Sequence, residues 1–417
     1  MDHFKYKKGK LYAEDVLVED IVAEVGTPFY LYSSATLKRH YEVMNKALKL
    51  PNKLICFATK ANSNISILNL LANQGAGADV VSQGEIYRAL TAGVPHDKIV
   101  FSGVGKSDDE IAYGLQEEIH QFNAESLEEI REINAIAKAT HTVAPLAIRI
   151  NPNVGAGGNK KISTGKKGDK FGIDIEVAEK AVKLACKSEN IDFRGLSVHI
   201  GSQILDISAF ETAFRRVFEF VIELEGKGAE ISTIDLGGGL GVPYDDDTEV
   251  DPAEYGKMIT KLVKEYKLTK KEFIFEPGRV IAANAGILVG SVIFVKKTKG
   301  KDFAILDVAM NDLMRPALYD AKHQIIPLEQ QKEQNKKYDF VGPVCETTDV
   351  FEKDKKFQEL KSNDLIAFRS CGAYGAVMAN EYNTRPLIPE VLVEGKKFKI
   401  IRRRPSYEEM LYLEFND

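Results

Sequence analysis

At 417 residues the chain is long enough for two domains with well-buried cores, and a composition of 44% hydrophobic and 28% charged residues is ordinary for a folded protein and gives no reason to expect extensive disorder. A net charge of -5 gives no basic surface for nucleic acid or membrane, which leaves a small molecule as the expected partner. Cys56, Cys186, Cys345 and Cys371 include no C-x-x-C pair, so neither a zinc site nor a disulfide framework is expected, and the thiols are read as reduced.

The opening stretch MDHFKYKKGKLYAEDV is not followed by an apolar core segment, so it does not read as a signal peptide. No apolar run approaches the roughly 20 residues of a membrane span, and the expected location is the cytoplasm. Residues 1–35 contain a strand-like TPFYLYS that falls outside the rhythm that follows and is expected to join a C-terminal β domain.

Eight short apolar or β-branched runs then succeed one another: LICFATKA (54–61), GADVVS (77–82), KIVFSG (98–103), HQFNAES (120–126), PLAIRINP (145–152), RGLSVHIGS (194–202), STIDLGGG (232–239) and EFIFEPGR (272–279). Between them lie segments of helical periodicity such as NISILNLLANQG, EIYRALTAGV and LEEIREINAIAKAT. Eight βα units of this size predict an α/β fold, a TIM (β/α)8 barrel over residues 36–283. The Gly- and Lys-rich stretch 151–172 reads as an exposed linker or as a lid on the active face. From residue 284 to 417, runs such as DFVGPVC, DLIAFRS and KFKIIRRR with polar breaks predict a second, mainly β domain.

Reactive groups of barrels gather at the C-terminal strand ends. Here those ends carry Lys60, Asp79, Ser82, Asn151, His199, Ser202, Gly237, Gly238, Gly239, Glu276 and Arg279. A lysine inside an apolar strand is partly desolvated and suits a Schiff-base amine, although a strand-end lysine taken alone is more often a snorkelling surface residue. The run IDLGGGLG continues into VPYDDDTEVD, which does not open a helix, so a dinucleotide site is not expected; bare amides after a strand suit a phosphate, or form a plain tight turn. Asp245 to Asp247 read as a solvated acidic loop, and no metal is expected. The Glu276–Arg279 combination is either a salt bridge or a carboxylate facing a pyridine nitrogen, and His199 alone is as well read as a core histidine.

Taken together, FATKAN (57–62), GADVVSQGE (77–85), HIGSQ (199–203), DLGGGLG (235–241), EPGR (276–279), MNDLMRPALYDAKH (310–323), GPVCETTD (342–349) and GAYG (372–375) resemble the alanine-racemase-type, fold type III family of pyridoxal-phosphate enzymes over essentially the whole chain. The resemblance implies pyridoxal 5'-phosphate as cofactor, with Lys60 as the Schiff-base lysine, His199 stacked on the ring, Glu276 at the pyridine nitrogen and Asp79 as a neighbour. It implies that Ser202, Gly238, Gly239, Gly278 with the backbone of 276–279, and Tyr374 hold the phosphate. Within the family it points to decarboxylation of diaminopimelate to lysine: Arg279, Arg315 and Tyr319 would grip the distal carboxylate, Glu346 the distal amine, and Cys345 would donate a proton together with Glu346 and Tyr374. Cys345 is expected to come from a partner subunit, hence a homodimer with shared active sites.

Decarboxylation of ornithine, arginine or carboxynorspermidine, amino-acid racemisation and non-catalytic carriage of the cofactor are the competing readings. Arginine, ornithine and lysine end in cations that two arginines would repel, a racemase needs no distal-carboxylate grip, and carriers are typically a single barrel domain. Gln83 departs from the family's usual glycine, and NVGAGGNKK from its usual lid sequence.

Overall fold

A computed structural model describes residues 2–154, 170–244, 250–333 and 335–415. Most of the expected lid, residues 155–169, and the acidic run at 245–247 lie outside the described residues. The chain divides into two compact units, one comprising residues 40–242 and 250–280, the other residues 2–39, 243–244 and 281–415.

The first unit is a closed barrel of eight parallel strands: Lys53–Ala58, Gly77–Val80, Ile99–Phe101, Gln121–Ala124, Ala144–Asn151, Ile191–Val198, Thr233–Asp235 and Glu272–Phe275. Each strand pairs with the next, and the ring closes where Ile274 of the eighth stands opposite Leu54 of the first. Helices cover the outer face, so both faces of the strands are buried and their sequences read as continuous apolar runs rather than alternations. The helix Ile207–Gly226, for example, buries Phe210, Phe214, Val217, Phe218 and Val221. Inside the barrel Leu54, Cys56, Val100 and Ile274 pack together, and burial pushes the Cys56 thiol well up, so this cysteine serves as a small hydrophobe.

Serine caps make the strand-to-helix turns sharp. Ser82, Ser107 and Ser126 each accept from the backbone N–H three residues on, at Glu85, Glu110 and Glu129. Gln83 is the exposed first residue of the helix capped by Ser82, and its N–H donates to Glu110 at 3.0 Å, so its longer side chain meets no constraint there.

The expectation that Lys60 lies inside the first strand is corrected. The ladder ends at Ala58, opposite Asp79, and Thr59–Ala61 form a 3-10 turn that carries Lys60 just past the sheet. With no further ladder partner the chain is released into the turn.

The second unit is built on the long strand Gly286–Thr298, which pairs antiparallel with Lys301–Leu306, Leu365–Phe368 and Phe29–Ser33. Phe29–Ser33 in turn takes Glu390–Glu394 as a parallel neighbour. Phe29, Leu31, Ile287, Val289, Val391 and Val393 lie in its core cluster. No helix among the described residues is long and apolar enough to cross a membrane.

Candidate active site

At the C-terminal end of the barrel Lys60 Nζ stands 2.6 Å from Asp79 Oδ2. Asp79 is fully buried, and its other oxygen makes no hydrogen bond among the described residues, while Lys60 remains about one-third exposed, at 34%. A cation pointing out of a barrel with a buried counter-ion behind it is placed to react with what enters, not to brace the fold.

Two more carboxylates are buried nearby in the same barrel. Glu276 Oε1 accepts from Ser102 Oγ at 3.2 Å, and Asn123 Nδ2 donates to Asp235 Oδ2 at 2.8 Å while reaching Glu276 Oε1 at 3.5 Å. Ser197 Oγ adds a bond to Asp235 at 3.2 Å. Burial, reinforced by the charges of Asp235 and Asp79, pushes the Glu276 carboxyl well above the usual carboxylate range, and burial raises Asp235 as well. The pair is therefore biased toward holding a proton, with Glu276 raised more strongly than Asp235.

The glycine run brings the backbone into contact with its surroundings. A Cβ on Gly237 would fall 2.4 Å from the Val198 carbonyl oxygen, one on Gly238 2.2 Å from that of Glu276, and one on Gly239 2.4 Å from that of Gly201. Gly237 and Gly239 also sit in the left-handed region, at φ 64° and 106°. The Gly237 N–H donates to Asp235 Oδ1 at 2.9 Å and the Gly238 N–H to His199 Nδ1 at 3.2 Å, so the expectation of three bare amides narrows to Gly239.

His199 is therefore an acceptor at Nδ1. Burial, with Arg149 and Lys60 nearby, holds its pKa well below the ordinary value, so the ring is neutral with its proton on Nε2. Arg279 is buried and its Nη2 donates to Ser202 Oγ at 3.0 Å, which joins two residues both expected at the cofactor, Arg279 being expected at the substrate as well. A Cβ on Gly278 would fall 2.9 Å from the Cβ atoms of both Ala58 and Ala61, leaving no room for a side chain.

The second unit holds the remaining candidates. Arg315, buried on the short helix Arg315–Tyr319, donates from Nη1 to His323 Nε2 at 2.8 Å and lies with its guanidinium carbon 4.3 Å from the centroid of the Tyr244 ring. Tyr319, half-buried, ends that helix. Cys345 is exposed, its N–H donating to Asn383 Oδ1 at 3.0 Å, and the adjacent Glu346 carboxylate accepts from Thr348 Oγ1. A hydrogen bond to Glu346 also holds the Tyr382 phenol above its ordinary value. Tyr374 adopts the left-handed conformation at φ 55°, between glycines in GAYG.

Sequence reasoning missed Ser102, Asn123 and Asp235, which support Glu276, and His323. Their signal was polarity within strand runs, KIVFSG, HQFNAES and STIDLGGG, where an apolar residue packs best.

The barrel site suits a phosphorylated aldehyde with a pyridine ring. Lys60 offers an amine, Glu276 a buried acid, His199 a flat neutral ring, and the glycines a tightly packed turn at the strand end with the Gly239 amide left to donate among the described residues. Residues 34–283 match the family described as pyridoxal-dependent decarboxylase, pyridoxal binding domain. The diaminopimelate decarboxylase of Vibrio cholerae is 45% identical over 415 residues, 99% of each chain. Among solved structures, diaminopimelate decarboxylase from Helicobacter pylori complexed with L-lysine superposes with a TM-score of 0.91 at 40% identity, covering 95% of this chain and 99% of that one. The enzyme of the same name from M. jannaschii, also in co-complex with L-lysine, gives 0.95 at 37%, covering 100% and 98%. By these matches, which run from end to end, the chain belongs to the diaminopimelate decarboxylase family of pyridoxal-dependent decarboxylases.

Proposed function

We propose that the protein decarboxylates meso-2,6-diaminopimelate to L-lysine and carbon dioxide, the last step of lysine biosynthesis, as a cytoplasmic homodimer with shared active sites. The observation that supports the choice of substrate is that the two arginines the family resemblance assigns to a distal carboxylate, Arg279 and Arg315, are each buried in their own unit, at 7% and 6% exposure. Their planar forks match a second carboxylate, and ornithine, arginine and lysine present a cation instead. That the Helicobacter pylori relative takes up L-lysine supports the product.

Pyridoxal phosphate, when bound, supplies an electron sink that takes up the electron pair left by departing carbon dioxide. Lys60 is the amine that would hold the cofactor through its aldehyde, and Asp79 steadies the lysine charge at 2.6 Å. Glu276 would face the ring nitrogen and hold a proton there, and Asp235, Asn123 and Ser102 hold that acid in place. His199 would stack on the ring, and its lowered pKa means that it would add no charge there. Ser202, Gly239, Gly278 and Tyr374 would take the phosphate, and Gly238 would join them only by giving up its bond to His199 Nδ1. Arg279, Arg315 and Tyr319 bind the distal carboxylate, and Glu346 the distal amine. Cys345 of the partner subunit delivers the proton that replaces carbon dioxide.

Lys60→Ala tests this reading. Turnover and the absorbance of the covalently held cofactor are both expected to vanish, whereas Cys345→Ala should keep that absorbance and lose turnover. Sustained carbon dioxide release by the Lys60 variant would overturn the assignment.

A further inference from the structure

We propose that His323 is a positioning residue that sets the plane of Arg315 for the carboxylate the substrate keeps, an inference that rests on the reading of Arg315 above. His323 is buried, at 5% exposure. Its Nδ1 lies 2.8 Å from the Arg369 carbonyl oxygen, and its Nε2 2.8 Å from Arg315 Nη1. A carbonyl oxygen only accepts and a guanidinium only donates. Both bonds therefore exist together only for the neutral ring with its proton on Nδ1 and its lone pair on Nε2 aimed at Arg315.

The carbonyl that fixes this tautomer is itself fixed. The Arg369 N–H donates to the Gln324 carbonyl at 2.9 Å, and the antiparallel ladder continues directly with Ile325 opposite Phe368. The imidazole thus hangs from the end of a two-strand pairing. Tyr244 completes the arrangement: its ring meets His323 edge to face at 5.3 Å and 75°, and it carries the Arg315 guanidinium over its face at 4.3 Å. The bond to His323 at one nitrogen and the Tyr244 ring beside the guanidinium carbon restrict how Arg315 can turn, and a two-bond grip on a carboxylate depends on that orientation.

A neutral acceptor is what this task requires. Aspartate or glutamate at position 323 would orient Arg315 equally well but would cancel the charge that attracts the carboxylate. Histidine held as the Nδ1–H tautomer orients the arginine and leaves its charge to the substrate.

The test uses the holoenzyme and compares two ligands. Whichever carbon loses carbon dioxide, lysine retains the other carboxylate, whereas cadaverine has none. His323→Phe, which keeps a ring and removes the acceptor, is expected to raise KM for diaminopimelate and Ki for L-lysine by about tenfold each, the scale of a lost charged hydrogen bond, with a smaller fall in kcat and an unchanged Ki for cadaverine. His323→Gln, with an amide oxygen to accept, should recover most of the loss. Tyr244→Leu, which removes the ring face, should raise the same two constants and decides the matter where the phenylalanine variant does not fold. Equal weakening of lysine and cadaverine would reveal general loosening of the site and overturn the proposal. So would unchanged constants in His323→Phe and Tyr244→Leu beside a raised KM in Arg315→Gln. Unchanged constants in Arg315→Gln itself would remove the reading of Arg315, and this proposal with it.

Discussion

Gly238→Ala is the sharpest local perturbation the barrel offers. The added Cβ would lie 2.2 Å from the Glu276 carbonyl oxygen and 3.0 Å from its carbonyl carbon, both backbone atoms with no side-chain freedom to yield. Ordinary contact begins at 3.4 Å, so the two segments must part by about 1 Å (3.4 less 2.2). They are strapped together by the Glu276 N–H, which donates to the Gly237 carbonyl at 2.8 Å, so the strain reaches the acid and the glycine turn at once. Overpacking of this kind costs about 1–3 kcal/mol. If that cost falls on the cofactor-bound geometry, pyridoxal phosphate binds roughly 5- to 150-fold more weakly. Titration of the cofactor-free protein by absorbance, paired with thermal unfolding, measures both. Gly226→Ala is the control, because its Cβ would meet nothing within 4 Å at the end of the helix Ile207–Gly226, and it is expected to be neutral or slightly stabilising. A Gly238→Ala protein that binds the cofactor like wild type and unfolds at the same temperature would refute the argument.

Two further outcomes follow from buried charges. Glu125 and Arg149 pair at 2.7 Å with side chains only 1% and 9% exposed, and Glu125 also accepts from the Gly103 and Gly172 amides at 3.1 and 2.9 Å. Glu125→Ala strands a buried cation and is expected to cost about 3–5 kcal/mol in urea unfolding, part of which Arg149→Met should restore; equal losses in single and double variants would exclude the pair as the cause. Burial pushes the Asp312 carboxyl up to about 6 from 3.8, so the folded protein binds that proton more tightly than the unfolded chain. The stability from this group is complete below about pH 3.8 and is lost as pH rises through about 6. Asp312→Asn should therefore gain on wild type across that window, and a stability difference that stays flat with pH would contradict the shift.

The barrel was legible because its strands are buried on both faces. Continuous apolar runs alternating with 3.6-residue periodicity leave few other folds open, and the strand-end residues follow from the fold alone. Lys60 escaped correct placement by two residues, because no local signal in FATKAN marks where the ladder runs out. Ser102 and Asn123 could not be tied to Glu276 from the sequence, since those bonds span 174 and 153 residues and depend on which strands share the barrel interior. His323 lies only eight residues from Arg315, yet its meaning comes from the carbonyl of Arg369, 46 residues on, which selects the tautomer. The glycine run promised amides for a phosphate, and it is Asp235 and His199, themselves strand-end residues, that take two of them.

The central claim is the reaction itself, and carbon dioxide release by the purified protein with pyridoxal phosphate tests it most directly, with meso-diaminopimelate, lysine, ornithine and arginine offered separately. The account predicts release from diaminopimelate alone. Release from a basic amino acid in its place would contradict the roles of Arg279 and Arg315, and no release from any of the four would contradict the decarboxylase itself.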